Sequence, residues 1–231
     1  EWMIAIRYLR SKRSDGGISS MTWISLIGIS LAVFALIATL AVRTGFRAEF
    51  VNTILGANAH ASIYNSPYIN NDGVVVSGFA NYNQIKNNIE NIEGVLSVSP
   101  VVKGQVMANA NGQNQGVEVF GETLIDIKKL PLIMSPELSY GSIDSFEKGI
   151  AIGSGIARSL GLKLGDTLTL ISPDGVKTAF GTSPRINGFE VVYIFQVGRY
   201  DIDNTRIYMP LAEAQIYFNS EGRVDEFEVI V

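Results

Sequence analysis

The sequence predicts an α+β protein: one N-terminal transmembrane helix followed by a two-subdomain α+β domain outside the membrane. Three observations predict it. Residues 18–42 carry no charge. Charge is divided unevenly about that run, with net +3 over residues 1–43 and net −7 over residues 44–231. Beyond it, short alternating strand patterns and helical patterns follow one another, punctuated by Gly and Asn turn signals.

The chargeless run reads ISSMTWISLIGISLAVFALIATLAV. As a helix it spans ~37 Å, enough for a hydrocarbon core of about 30 Å with some tilt. The apolar region of a signal peptide is shorter, at about 7–15 residues. Arg7, Arg10, Lys12 and Arg13 precede the run and predict a cytoplasmic N-terminus. The expected layout is therefore a cytoplasmic segment over 1–17, a transmembrane helix over 18–43 and a domain over 44–231. In a Gram-negative cell that domain lies in the periplasm, on an inner-membrane protein.

Two features of the membrane portion admit two readings each. WMIAIRYLRSKR places Trp2, Ala5, Ile6 and Leu9 on one helical face and Arg7 and Arg10 on another. It is either an amphipathic helix lying in the lipid interface or a basic flank that only sets orientation. Ser25, Gly28, Ala32, Ala35 and Thr39 recur at spacings of 3 and 4, forming a stripe of small residues. Such a stripe lets helix backbones approach closely in lipid, so it implies partner helices or a cavity. Chance composition is the alternative.

The domain is read in order as follows. HASIYN is a strand and NYNQIKNNIENI a helix with Tyr82, Ile85, Ile89 and Ile92 on one face. VLSVSPVVKGQVMANANG and QGVEVFGE are strands joined through Asn-Gly. IGSGIARSLGL is a short helix stopped by Gly161. TLTLI, FEVVYIF, TRIYM and FEVIV are strands, and PLAEAQIYF a helix with proline in its first turn. Between TLTLI and FEVVYIF lies SPDGVKTAFGTSPRINGF, residues 172–189, far longer than the usual hairpin loop of about 2–5 residues.

Enzyme chemistry finds little footing. The chain has no cysteine, which excludes disulfides, thiol catalysis and Cys-ligated metals. GSGIAR, 153–158, has Arg158 where a dinucleotide fingerprint needs its third glycine. DIDNT, 201–205, opens like a calcium loop but has Arg206 at loop position 6 and Ala212 at position 12, so it reads as a turn. His60 is the sole histidine and reads as structural or surface-exposed. No P-loop or G-x-S-x-G is present, and the acidic domain argues against nucleic acid.

IAIRYLR, then SLIGISLAVFALIATLAVRTGF, then ILGANAHASI resemble the start of the LolC/LolE permeases, membrane subunits of the ABC machine that extracts lipoproteins from the bacterial inner membrane. GIAIGSGIARSLGLKLGDTLTLISP and FGTSPRINGFEVVYIFQVGRYDIDNTRIYMPLAEAQIYF are similar to later parts of that family's periplasmic domain, which is MacB-like. The resemblance covers nearly the whole chain. Departures include Ala32, where glycine is frequent, and AVRTGF in place of SVMNGF-like text. Because family members carry three further membrane helices, and because the chain opens on Glu1 and ends at Val231, it reads as an N-terminal fragment of such a permease.

The resemblance implies partners and a mechanism. The chain would pair with a second LolC/LolE-type permease, identical or not, and with a LolD-like ATPase dimer. That ATPase binds the ATP, so no cofactor is expected in this chain. Lipoprotein cargo would leave a cavity lined by the first membrane helices, in contact with membrane lipid, and pass to a LolA-like periplasmic carrier. Related permeases drive efflux or cell-wall hydrolases, and these remain alternatives, as do a single-pass anchored binding module and a membrane-anchored enzyme.

The long stretch 173–188 is then expected to be a protruding hairpin arm that grips the carrier, the place where such permeases hold a carrier-recruiting hook. Its glycines and prolines punctuate it, and Asp174, Lys177, Arg185 and Asn187 keep it soluble. Phe180 near the tip suits an apolar anchor. Phe180 and Pro184 are expected to touch the carrier, Arg185 to make a polar rim bond, and Lys177 and Gly181 to complete the surface. Ala179 replaces a proline common in the family. The plainer reading is an ordinary long loop.

For the stripe, replacing Gly28 or Ala32 with leucine is expected to impair permease assembly or lipoprotein release. Assembly measured by co-purification, and release from spheroplasts, would both stay at wild-type levels if the stripe were compositional chance.

Overall fold

The computed structural model describes residues 2–9, 16–55, 59–69, 75–134, 139–178 and 181–231. It contains two units, Glu1–Asn52 and Thr53–Val231.

The first unit holds α1 (Trp2–Leu9) and most of α2 (Gly16–Leu55). Within α2, Ser20–Val51 is long and apolar enough to cross a membrane, and none of its most apolar window is buried inside the protein. At 40 residues α2 extends roughly 60 Å. It outlasts the chargeless run because nothing after Val42 breaks it: Arg43, Arg47 and Glu49 are compatible with helix, and Gly45 is the sole glycine in that extension. Thr39 and Thr44 bond their hydroxyls back to the carbonyls of Ala35 and Leu40, at 2.7 and 2.8 Å, which satisfies them without leaving the helix.

The second unit runs β1 (Ala61–Tyr64), β2 (Tyr68–Ile69), β3 (Val75–Val76), β4 (Phe79–Ala80), α3 (Tyr82–Glu90), β5 (Ser97–Ala110), β6 (Gln113–Glu122) and α4 (Leu124–Ile127). There follow β7 (Tyr140–Gly141), a 3-10 turn (Ile143–Lys148), β8 (Ile150–Gly153), α5 (Ser154–Leu160), β9 (Thr167–Thr178) and β10 (Gly181–Phe195). The chain closes with α6 (Tyr200–Thr205), β11 (Arg206–Pro210), α7 (Leu211–Tyr217), β12 (Arg223–Val224) and β13 (Glu226–Ile230).

One mixed sheet organises the unit, in the order β1-β13-β5-β6-β11-β8-β10-β7. β9 pairs with both β10 and β5, so β5, β6, β11, β8, β10 and β9 form a closed circuit, and closure removes edges that would otherwise be open. The two portions read from the sequence share this sheet: β13, at the chain's end, pairs with β5 and carries β1 on its other side, while the middle of the chain closes the circuit.

Two apolar clusters occupy the faces of the sheet. One gathers Val106, Ile150, Ile152, Leu168, Leu170 and Val191 with Ile156 and Leu160 of α5 and Ala214 of α7; α3 adds Tyr82, Ile85 and Ile89. The other gathers Val101, Phe120, Tyr208 and Phe195 under Ile127, Leu130 and Phe146.

Local chemistry explains the joints. Asn111 and Gly112 both take positive φ, 50° and 76°, as a two-residue hairpin turn matched to strand twist requires. Asn111 also donates to the carbonyl of Leu160 at 2.8 Å, tying that turn to the end of α5. Gly161, at φ 64°, ends α5 in the left-handed conformation, and the Leu162 amide reaches back to the Ala157 carbonyl. Thr123 caps α4: its hydroxyl accepts from the Asp126 amide and donates to the Asp126 carboxylate at 2.7 Å. Pro210 sits just before α7 rather than inside its first turn. DIDNT belongs to helix α6, not to a bare turn. Buried Asp203 explains it, since its carboxylate accepts from the amides of Val197 and Gly198 at 2.8 and 3.1 Å and fixes the loop entering the helix. Exposed His60 contacts Val231 through Nδ1, next to the backbone bond from His60 to the Val229 carbonyl.

Gly121 packs its backbone against Ala214 of α7 so closely that an added Cβ would overlap the Ala214 methyl. Gly121→Ala is expected to destabilise the domain by about 1–3 kcal/mol through overpacking. The check is urea unfolding followed by tyrosine near-ultraviolet circular dichroism.

Candidate binding site on the hairpin arm

The long excursion between TLTLI and FEVVYIF is strand on both sides. β9 and β10 pair antiparallel from Thr167↔Glu190 out to Thr178↔Gly181, and residues 179–180, which lie between them, are outside the described residues. Near its base β9 also pairs with β5, through Met107↔Ile171, Ala108↔Leu170 and Asn109↔Thr169. Beyond Ile171 it has only β10 as a partner, so the outer arm is a two-stranded ribbon that has left the sheet.

A break in the ladder marks the departure. Ser183 pairs with Val176 and Arg185 with Ser172, so Pro173, Asp174 and Gly175 oppose Pro184 alone. Both prolines lack the N–H a regular ladder would need, and they sit where the ladder is interrupted. Gly175 is required by close approach: a Cβ there would overlap the Ser183 carbonyl. Such bulges bend a ribbon and increase its twist, so these residues set the direction of the arm.

The divergence of the arm from β5 opens a groove of about 710 Å³. Its lining includes Val106, Met107, Val117, Ile171, Pro173 and Pro184, with Glu118 as the charged member. Met107 and Ile186 beside it are 47% and 63% exposed. That volume lies within the about 300–1,000 Å³ typical of ligand clefts.

Arg185 fastens the root of the arm. Its guanidinium donates to the carbonyls of Ile216 and Tyr217, the latter at 2.9 Å, and to Oδ1 of Asn219 at 2.7 Å. These are acceptors at and just beyond the C-terminus of α7, where carbonyls lack intrahelical partners and a cation is favoured. Phe189 and Tyr217 meet edge to face with centroids 5.7 Å apart, and Tyr217 meets Phe218 likewise at 5.0 Å. These aromatic contacts add a second tie between β10 and α7.

The residues singled out from sequence therefore separate. Pro184 is exposed and lines the groove. Lys177 and Gly181 belong to the ribbon, in β9 and β10. Phe180 lies outside the described residues. Arg185, expected as a rim group for a partner, is engaged with α7 instead; the reason is the carbonyls at the end of α7 one side chain away, where that of Ile216 also accepts from the Asn219 amide. No signal in the sequence marked that pairing, because Ile216 and Tyr217 contribute backbone atoms. Met107 and Ile171 were missed for a similar reason, being ordinary strand residues until the ladder opens beside them. Ser25, Gly28, Ala32, Ala35 and Thr39 are all exposed along α2. Among the described residues no group of three or more His, Asp or Glu could hold a metal ion.

A helix long and apolar enough to cross a membrane precedes an α+β domain built on a closed sheet with a projecting ribbon. Residues 22–231 match the MacB-like periplasmic core domain, and the chain belongs to that family. It is 30% identical over 227 residues to the lipoprotein-releasing system transmembrane protein LolC of Neisseria meningitidis, covering 97% of this chain and 52% of that protein. It is 28% identical to LolE of Haemophilus influenzae, covering 94% and 51%. The relationship to LolC/LolE permeases read from the sequence is thus borne out, and the chain spans about half the length of these relatives. The periplasmic region of MacB from Actinobacillus actinomycetemcomitans aligns over 74% of this chain and 73% of its own, with 11% identity and a TM-score of 0.47.

Arg185→Met should release the α7 terminus, costing about 1–2 kcal/mol for lost charge-assisted bonds on a half-buried group. Arg185→Lys should recover only part, because an ammonium cannot fork to several acceptors. Hydrogen exchange at amides 183–190 and 216–219 should rise in both variants, more in the first.

Proposed function

We propose that this chain serves within a permease subunit of an ABC lipoprotein-release complex. It lies in the bacterial inner membrane with its N-terminus cytoplasmic and its domain periplasmic. The subunit takes lipoproteins from the membrane, and the arm hands them to a LolA-like periplasmic carrier. A LolD-like ATPase dimer supplies the ATP hydrolysis and a second LolC/LolE-type permease completes the complex. This chain contributes transmission of force and partner docking rather than bond chemistry. The similarity to LolC, sustained over 97% of the chain, is the observation that carries the reading.

The geometry is consistent with it. A ribbon fixed at its root by Arg185 and by the bulge offers Pro184 and the apolar groove beside it to a partner. Phe180, outside the described residues, is the sequence's candidate for the large apolar side chain that a small contact needs. The stripe Ser25–Gly28–Ala32–Ala35–Thr39 is assigned to helix packing or to the cargo cavity.

Photo-crosslinkers at 177, 180 and 184 are expected to capture the carrier in cells, and Phe180→Asp to abolish capture while the domain stays folded. Unchanged carrier binding after deletion of 175–186 would refute the role of the arm. Co-purification of an ATPase and a second permease tests membership of the complex separately.

A further inference from the structure

The second face of the sheet carries a row of charge that the transport reading does not use. Register places it. Glu122 lies level with Val101, and Val101 pairs with Glu226, so these three share one face. Glu228 follows Glu226 on that face of β13, Lys103 follows Val101 on β5, and Arg206 pairs with Glu118 across β11 and β6. Glu122 is 1% exposed and Asp126 2%.

Most of these carboxylates have partners. Asp126 receives Lys129 at 2.8 Å, Lys86 at 3.6 Å and the Thr123 hydroxyl. Lys103 stands 3.5 Å from Glu118 and 3.8 Å from Glu226. Arg206 lies over the Phe120 ring at 4.3 Å and donates to the Tyr208 hydroxyl. Glu122 is different: its buried Oε1 has no hydrogen-bond partner. A buried carboxylate oxygen left without a donor is costly when ionised, and carboxylates outnumber cations here: Glu118, Glu122, Asp126, Glu226 and Glu228, with Glu90 also on Lys86 at 3.9 Å, against Lys86, Lys103, Lys129 and Arg206. A proton on Glu122 reduces that excess.

We propose that Glu122 is a proton-binding site: it holds a proton in the folded domain, and the domain loses stability when that proton leaves. Burial, then the charges of Glu228 and Asp126, raise the Glu122 pKa well above the ordinary carboxylate value, against the opposing pull of Arg206; Glu226 adds to the rise. Glu228 and Glu226 are also raised, by burial first, with Arg206 and Lys103 respectively opposing and the Tyr64 hydroxyl lowering Glu226. Tyr208, raised mainly by burial, stays neutral.

The linkage has a definite sign. A carboxyl whose folded pKa exceeds its unfolded one binds more protons in the folded state. Stability is then fully present below the ordinary glutamate value of 4.5 and falls as pH rises through the folded value. The ligand is hydronium, and its removal needs no other reactant.

The test is carboxyl-carbon NMR of the full chain in detergent, with selectively labelled glutamate, alongside urea unfolding from pH 4.5 to 8. One glutamate should titrate well above those of the urea-unfolded chain, and Glu122→Gln should delete that signal. Stability of the wild type should fall with rising pH. Glu122→Gln should match wild type at low pH, surpass it at pH 8 and retain a shallower slope left by Asp225, Glu226 and Glu228. Glu228→Gln should lower the midpoint of Glu122. If Glu122→Gln fails to fold, the highest glutamate midpoint is followed in the folded wild type and should fall in Glu228→Gln, since Glu228 is a named cause of the Glu122 rise. All glutamates titrating as in the unfolded chain, or a pH slope that Glu122→Gln leaves unchanged, would overturn the proposal.

Discussion

Strand β5 is the constraint on which the rest of the domain depends. Ser97–Val101 pairs with β13, Val102–Ala110 with β6, and Met107–Asn109 also with β9. A single strand therefore ties the chain's last strand, the closed circuit and the root of the arm. Its first six residues are buried, as a strand covered on both faces must be, and its far half alternates. Cross-strand pairs are the unit of sheet stability, so a change at one end of β5 is carried to the other by continuous backbone pairing.

The arm's geometry follows from where β5 stops serving it. The β9 ladder with β5 ends at Ile171, and two and four residues on come Pro173 and Gly175, neither of which a regular inner strand favours. The ribbon departs at that point, and the groove is the wedge left behind. Arg185 and the Phe189–Tyr217 contact then hold β10 to α7. Direction is thus set by backbone chemistry on β9 and held by side chains on β10.

Local signals in the sequence carried much of the fold. Asn111-Gly112, Gly161 and the 3–4 spacing of Tyr82, Ile85 and Ile89 each specify a conformation by sterics or periodicity alone, and the structure uses each for that; Ile92, read on the same face, lies past the end of α3 and is 57% exposed. What stayed hidden depends on contacts distant in sequence. In Glu226–Ile230 glutamates alternate with apolar residues, and glutamates in a half-buried strand ordinarily face water. Glu226 and Glu228 face inward because β1 lies beside them and Lys103 and Arg206 supply counter-charge from other strands. Asp203 and Arg185 belong to the same class: each bonds backbone groups whose position leaves no mark on the sequence.

The engagement of Arg185 bears on what the arm can offer a partner. Had that guanidinium been free, a contact here would have leaned on charge, which steers encounter and weakens with salt. Spent on the end of α7, it serves rigidity. The described surface around the root is then dominated by Pro184, Ile186, Met107 and Ile171, with Glu118 in the groove. Binding at such a surface draws on burial of apolar area and on a ribbon whose orientation is already fixed, which lowers the entropy cost of association. The same economy governs the proposed transfer of a lipid-bearing cargo: a carrier that must dock and leave in each cycle is better served by a small, pre-oriented apolar contact than by a desolvated ion pair, whose loss of hydration opposes both steps.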